Sequence, residues 1–115
     1  MKKTSLGAKY DVAPGERIKI VMTPKKGAGE SNVTATSNGD NEQFFSGTTP
    51  RLEFNCKAEQ GDTTSATVSC SFPGDIPDEA FFLIEISGKA GEDTDSREVA
   101  KTDPNHEPSF RFRGV

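Results

Sequence analysis

The sequence predicts an all-β domain, a sandwich of seven or eight antiparallel strands. Three observations carry that reading. No segment of ten or more residues repeats apolar side chains at helical spacing, so no amphipathic helix is expected. Apolar residues instead alternate with polar ones in short runs, the period-2 pattern of a strand with one buried face. The 11 glycines and 7 prolines recur every ten residues or so, the spacing of turns between short strands.

The elements follow in order. Leu6 to Val12 reads as a weak first strand with Leu6, Ala8 and Tyr10 on one face, and Ala13-Pro14-Gly15 turns the chain. Glu16 to Met22 alternates well, with Ile18, Ile20 and Met22 inward and Arg17, Lys19 and Val21 outward. Residues 24–29 form a loop. Ser31 to Thr36 places Val33 and Ala35 inward. Asn38-Gly39 is a turn signal because both residue types tolerate positive φ. Glu42 to Ser46 holds Phe44 and Phe45, only one of which points inward in a strand.

Arg51 to Ala58 and Thr64 to Phe72 read as a hairpin around residues 59–63. Leu52, Phe54, Cys56 and Ala58 share a face on one arm; Ala66, Val68, Cys70 and Phe72 share a face on the other. Residues 73–78, with two prolines, form a loop. Residues 79–87 form the most apolar strand, with Ala80, Phe82, Ile84 and Ile86 on its inner face. Residues 88–106 contain two glycines, a proline and five acidic residues and read as the longest irregular stretch. Ser109 to Val115 closes the chain, with Phe110 and Phe112 inward and Arg111 and Arg113 outward.

Seven or eight strands in 115 residues suit one immunoglobulin-like or fibronectin-like β-sandwich spanning 1–115. The likeness is one of architecture. There is no tryptophan, and Cys56 and Cys70 lie too close in sequence for the usual inter-sheet bridge. In the expected hairpin, 56 and 70 stand opposite each other. A disulfide there would close about 15 residues and add about 3 kcal/mol in the chain-entropy model. A reducing compartment favours two buried thiols instead. Lys2 and Lys3 resemble the start of a secretory signal, but no apolar run follows, so a cytoplasmic location is expected if Met1 is the native start.

The net charge is −4, from 18 acidic and 14 basic residues. The basic residues occur as isolated pairs rather than a stripe, so nucleic acid is not an expected partner. No run approaches the ~20 apolar residues that span a bilayer. His106 is the only histidine. It lies in a Pro-flanked segment that reads as an exposed turn, and none of the common catalytic motifs is present, so an enzyme is the least favoured class. A structural zinc site needs four Cys or His ligands, and this chain has two cysteines and one histidine.

Two features point to binding. Phe81 and Leu83 lie on the outer face of the 79–87 strand, where a sandwich normally places polar residues. The 88–106 segment (through Val99 and Ala100), the N-terminal segment (through Leu6 or Tyr10) or a second chain could cover them. An uncovered apolar patch with a polar rim marks a protein partner or a homodimer interface. The second feature is acidic. If strands simply alternate in direction, the loops carrying Asp11, Asp40, Asp62, Asp93, Asp95 and Asp103 gather at one end. Calcium takes six to eight oxygens from several segments, so calcium is the alternative ligand, with Asp93 and Asp95 at its centre. No other cofactor is expected.

Overall fold

The computed structural model describes residues 2–3, 9–38, 40–46, 49–56, 59–88 and 94–115, the side chains of 2 and 40–46 aside. Among these described residues there are ten strands: β1 (Lys2–Lys3), β2 (Lys9–Val12), β3 (Arg17–Lys25), β4 (Val33–Ser37), β5 (Asp40–Ser46), β6 (Thr49–Asn55), β7 (Thr63–Cys70), β8 (Phe81–Ser87), β9 (Thr94–Ala100) and β10 (Ser109–Gly114). A 3₁₀ turn, Glu30–Asn32, precedes β4. One sheet runs β1-β2-β10-β7-β4 and the other β5-β6-β3-β8-β9. All pairs are antiparallel except β2 with β10, which is parallel and places Lys9 beside Arg111 and Val12 beside Gly114.

The interior is built as the alternation dictates. Ile18, Ile20 and Met22 of β3, Leu52 and Phe54 of β6, and Phe82, Ile84 and Ile86 of β8 are all fully buried. Across from them stand Tyr10, Val12, Val33, Ala35, Val68, Phe110 and Phe112, also buried. Each large side chain removed from water contributes about 1.5–3 kcal/mol. The aromatic rings add geometry: Phe112 stacks on Tyr10 at 5.3 Å between centroids and meets Phe54 edge-on at 5.6 Å. At one end, Gly27 takes a φ of +97°, and its Cα lies so close to Pro77 that an added Cβ would sit 3.0 Å from the ring. The 26–29 loop is thereby seated on the loop before β8.

Three sequence expectations change. The proposed hairpin of 51–58 with 64–72 does not form: β6 pairs with β3 and β5, whereas β7 pairs with β10 and β4 in the other sheet. Both faces still point inward, but they oppose each other across the interior instead of lying side by side. Period-2 alternation fixes which face is buried and leaves the choice of sheet open. Two strands also exceed the expected count. β1 is only two residues long, and β9 arises inside the stretch read as irregular. β9 is an edge strand whose Val99 is its one fully buried side chain, so its sequence carries no alternation. Finally, the β2–β10 pair makes the sandwich not wholly antiparallel.

The change of sheet decides the cysteines. The Cys56 thiol donates to the Thr64 hydroxyl at the start of β7, 3.7 Å away. Cys70 ends β7, six residues further on, which is about 20 Å along an extended strand. A disulfide needs Cα atoms within about 7 Å. Both cysteines are free and buried, and burial pushes the Cys70 thiol up to about 11. Mild oxidation of the folded chain is therefore expected to leave its mass unchanged. Formation of an intramolecular bridge without unfolding would contradict the strand assignment.

Candidate functional site

Phe81 and Leu83 occupy the β8 face turned away from the other sheet, and both are half-buried. Their neighbours are lateral. Phe81 stands between Lys25 of β3 and Ala100 of β9; Leu83 stands between Thr23 and Glu98. Val21, one step along β3, pairs with Glu85 and with Arg51. The result is a short diagonal of Phe81, Leu83 and Val21 inside a rim of Lys25, Glu85, Glu98 and Arg51.

Of the covers expected from sequence, the 88–106 segment does run beside β8, as β9. It covers differently, however. Val99 pairs with Phe82 and faces the interior, so only Ala100 flanks Phe81 on the outer face. Tyr10 does not reach this face at all, because it is buried between the sheets against Phe112. Leu6 lies outside the described residues.

Asp103 separates from the other acidic residues. Because β9 is a strand, the chain reverses once more than the sequence suggested. Asp103 consequently lies at the end of the sandwich where β8 begins, while Asp62 is exposed at the opposite end, before β7. Asp40 starts β5 opposite Asn55, also at that opposite end; its side chain, and Asp93 altogether, lie outside the described residues. Among the described residues, no group of three or more His, Cys, Asp or Glu side chains is arranged to hold a metal ion.

Asp95 and Asp103 have other partners. Asp95 Oδ2 accepts the Tyr10 hydroxyl at 2.7 Å and lies 3.1 Å from Lys3 Nζ. This links β9 to β2 and β1, the neighbouring edge of the other sheet. Asp95 Oδ1 also accepts the Ser96 N–H at 3.0 Å, and Asp103 Oδ2 accepts the Ala100 N–H at 2.8 Å. The sequence shows both carboxylates but not these partners, because Tyr10 and Asp95 are 85 residues apart. The one available signal was a tyrosine on a buried face, which needs a polar partner for its hydroxyl.

His106 is not the exposed turn residue expected. It is half-buried, its ring 4.7 Å from that of Phe72, with Nε2 3.1 Å from the Lys101 carbonyl oxygen. Lys101 in turn reaches the Ile76 carbonyl at 2.6 Å and the Asp78 carboxylate at 3.1 Å. The imidazole and this ammonium tie the β9–β10 loop to the β7–β8 loop.

No known family, curated protein or solved structure matches this chain. Among the described residues, no helix is long and apolar enough to cross a membrane.

Proposed function

We propose that the chain is a single immunoglobulin-like domain acting as a non-catalytic binding module, which engages a protein partner through the outer face of β3, β8 and β9. The observation that supports this reading is the adjacency of Phe81 and Leu83, half-buried on a face turned away from the core. Protein interfaces concentrate their energy in a few large apolar side chains surrounded by a polar rim. Lys25, Glu85 and Glu98 supply such a rim, with both signs of charge to orient a partner. The patch is small, which fits a transient contact better than an obligate one.

The test is Phe81→Lys, with Leu83→Lys beside it and Arg111→Ala on the exposed outer face of the other sheet as control. Phe81 points away from the core, so Phe81→Lys should unfold cooperatively with a Tm within about 5 °C of the parent. Species cross-linked to the parent chain should be lost with both lysine variants and retained with the control. If Phe81→Lys unfolds the chain, or if cross-linking is unaffected by it, the binding face lies elsewhere.

A further inference from the structure

The edges of a sheet present unpaired N–H and C=O groups, a template for any other strand. β9 is such an edge. Just beyond it, the Lys101 N–H donates to the Ala80 carbonyl at 3.1 Å, in register with the β8–β9 ladder. Along an antiparallel strand, successive residues turn their backbone groups to opposite sides. Residues 95, 97 and 99 therefore face β8, and Thr94, Ser96, Glu98 and Ala100 face outward. The N–H groups of Ser96 and Ala100 are those taken by Asp95 and Asp103. Between them lies a groove of about 230 Å³ lined by Arg97, Glu98, Val99, Asp103, Pro104 and Asn105.

The strand most able to fill this edge is β9 of a second copy. Two identical strands pair over their whole length only in the antiparallel register centred on Arg97, with Ser96 opposite Glu98 and Thr94 opposite Ala100 of the other copy. That register needs the Ser96 and Ala100 N–H groups as donors. It also sets Arg97 against Arg97, a like-charge pair that destabilises a ladder. We propose that Asp95 and Asp103 are edge caps which, with Arg97, close β9 to pairing with a second copy. Asp95 is fixed in its capping pose by Tyr10 and Lys3. Asp103 is fixed by the short loop that returns it to the Ala100 amide three residues earlier.

Two double variants test this by sedimentation velocity and amide hydrogen exchange across a hundredfold concentration range. Asp95→Ala/Asp103→Ala removes both caps. Arg97→Ser/Asp103→Ala removes one cap and the like charge but leaves the Tyr10–Asp95 bond, and it decides the matter if the first variant fails to fold. The parent and Asp103→Asn, which keeps an acceptor oxygen, should stay monomeric. The double variants should dimerise at least tenfold more tightly than the parent, with amides of 94–100 exchanging faster when dilute and slower when concentrated. A folded double variant that remains monomeric, or one that associates with no protection gained at 94–100, overturns the proposal.

Discussion

Phe112→Ala is expected to lower the stability of the folded chain by about 3–5 kcal/mol. Phe112 is fully buried and joins three parts of the core. It lies on β10, which is central to its sheet; it stacks on Tyr10, and its ring meets Phe54 from the opposite sheet. Truncation removes the transfer energy of the ring and leaves a void that two aromatic neighbours are too rigid to fill. Each such ring pair adds about 0.5–1.5 kcal/mol beyond burial. For a domain whose total stability is about 5–15 kcal/mol, this is a large fraction. Denaturant unfolding checks it: the midpoint should fall sharply with little change in slope. A loss below about 1 kcal/mol would mean that the two sheets do not close on this ring.

Asp95→Ala should cost less, about 1.5–3 kcal/mol, and its signature is in the pH dependence. Burial by itself would raise the Asp95 carboxyl. Hydrogen bonds from Tyr10, Lys3 and the Ser96 N–H outweigh that and hold it below its ordinary value of 3.8. Its contribution is thus complete above about pH 4 and lost as pH falls through the lowered value. Tyr10 shows the opposite case. Burial first, then the hydrogen bond and charge of Asp95, raise its phenol above the ordinary 10.0, against a smaller opposing effect of Arg97. A raised acid favours the folded state while protonated, so its contribution is present below about pH 10 and lost as pH rises further. The parent should therefore show a stability plateau between about pH 4 and pH 9, because the buried Cys70 thiol, raised from its ordinary 9.0, begins the alkaline fall before Tyr10 does. Tyr10→Phe should reduce the alkaline fall, leaving the part due to Cys70, and weaken the acid one. Asp95→Asn, which keeps an acceptor for the tyrosine but loses the attraction of Lys3, should fall between parent and Asp95→Ala. An acid limb unchanged by Asp95→Ala would show that the bond to Tyr10 does not couple the sheets.

Much of the fold was legible because burial writes itself into alternation. Ile18, Ile20 and Met22, the inner face of 79–87, and Phe110 with Phe112 all lie where the period-2 pattern places them. What was not legible belongs to relations between strands. Nothing local distinguishes a 51–72 hairpin from a crossover, since either one buries the same faces. β9 escaped notice because an edge strand with polar side chains resembles a loop. That omission moved Asp103 to the wrong end of the molecule. At the candidate site, the positions of Phe81 and Leu83 on an outer face followed from the sequence. The roles of Asp95 and Asp103 did not, since a carboxylate that accepts a backbone N–H looks in sequence like one free to bind a metal.

The parallel pairing of β2 and β10 determines how the sandwich carries tension. β2 begins at Lys9, and β10 ends at Gly114. A pull applied at those two points runs along both strands in opposite senses. The rungs at Lys9–Arg111, Tyr10–Phe112, Asp11–Arg113 and Val12–Gly114 are then loaded together, in shear, instead of being unzipped one after another. The ion pair between Asp11 and Arg113, 3.1 Å apart, and the Tyr10–Phe112 stack lie across the same line. Force on the chain would meet its stiffest resistance where its first and last long-range strands run side by side.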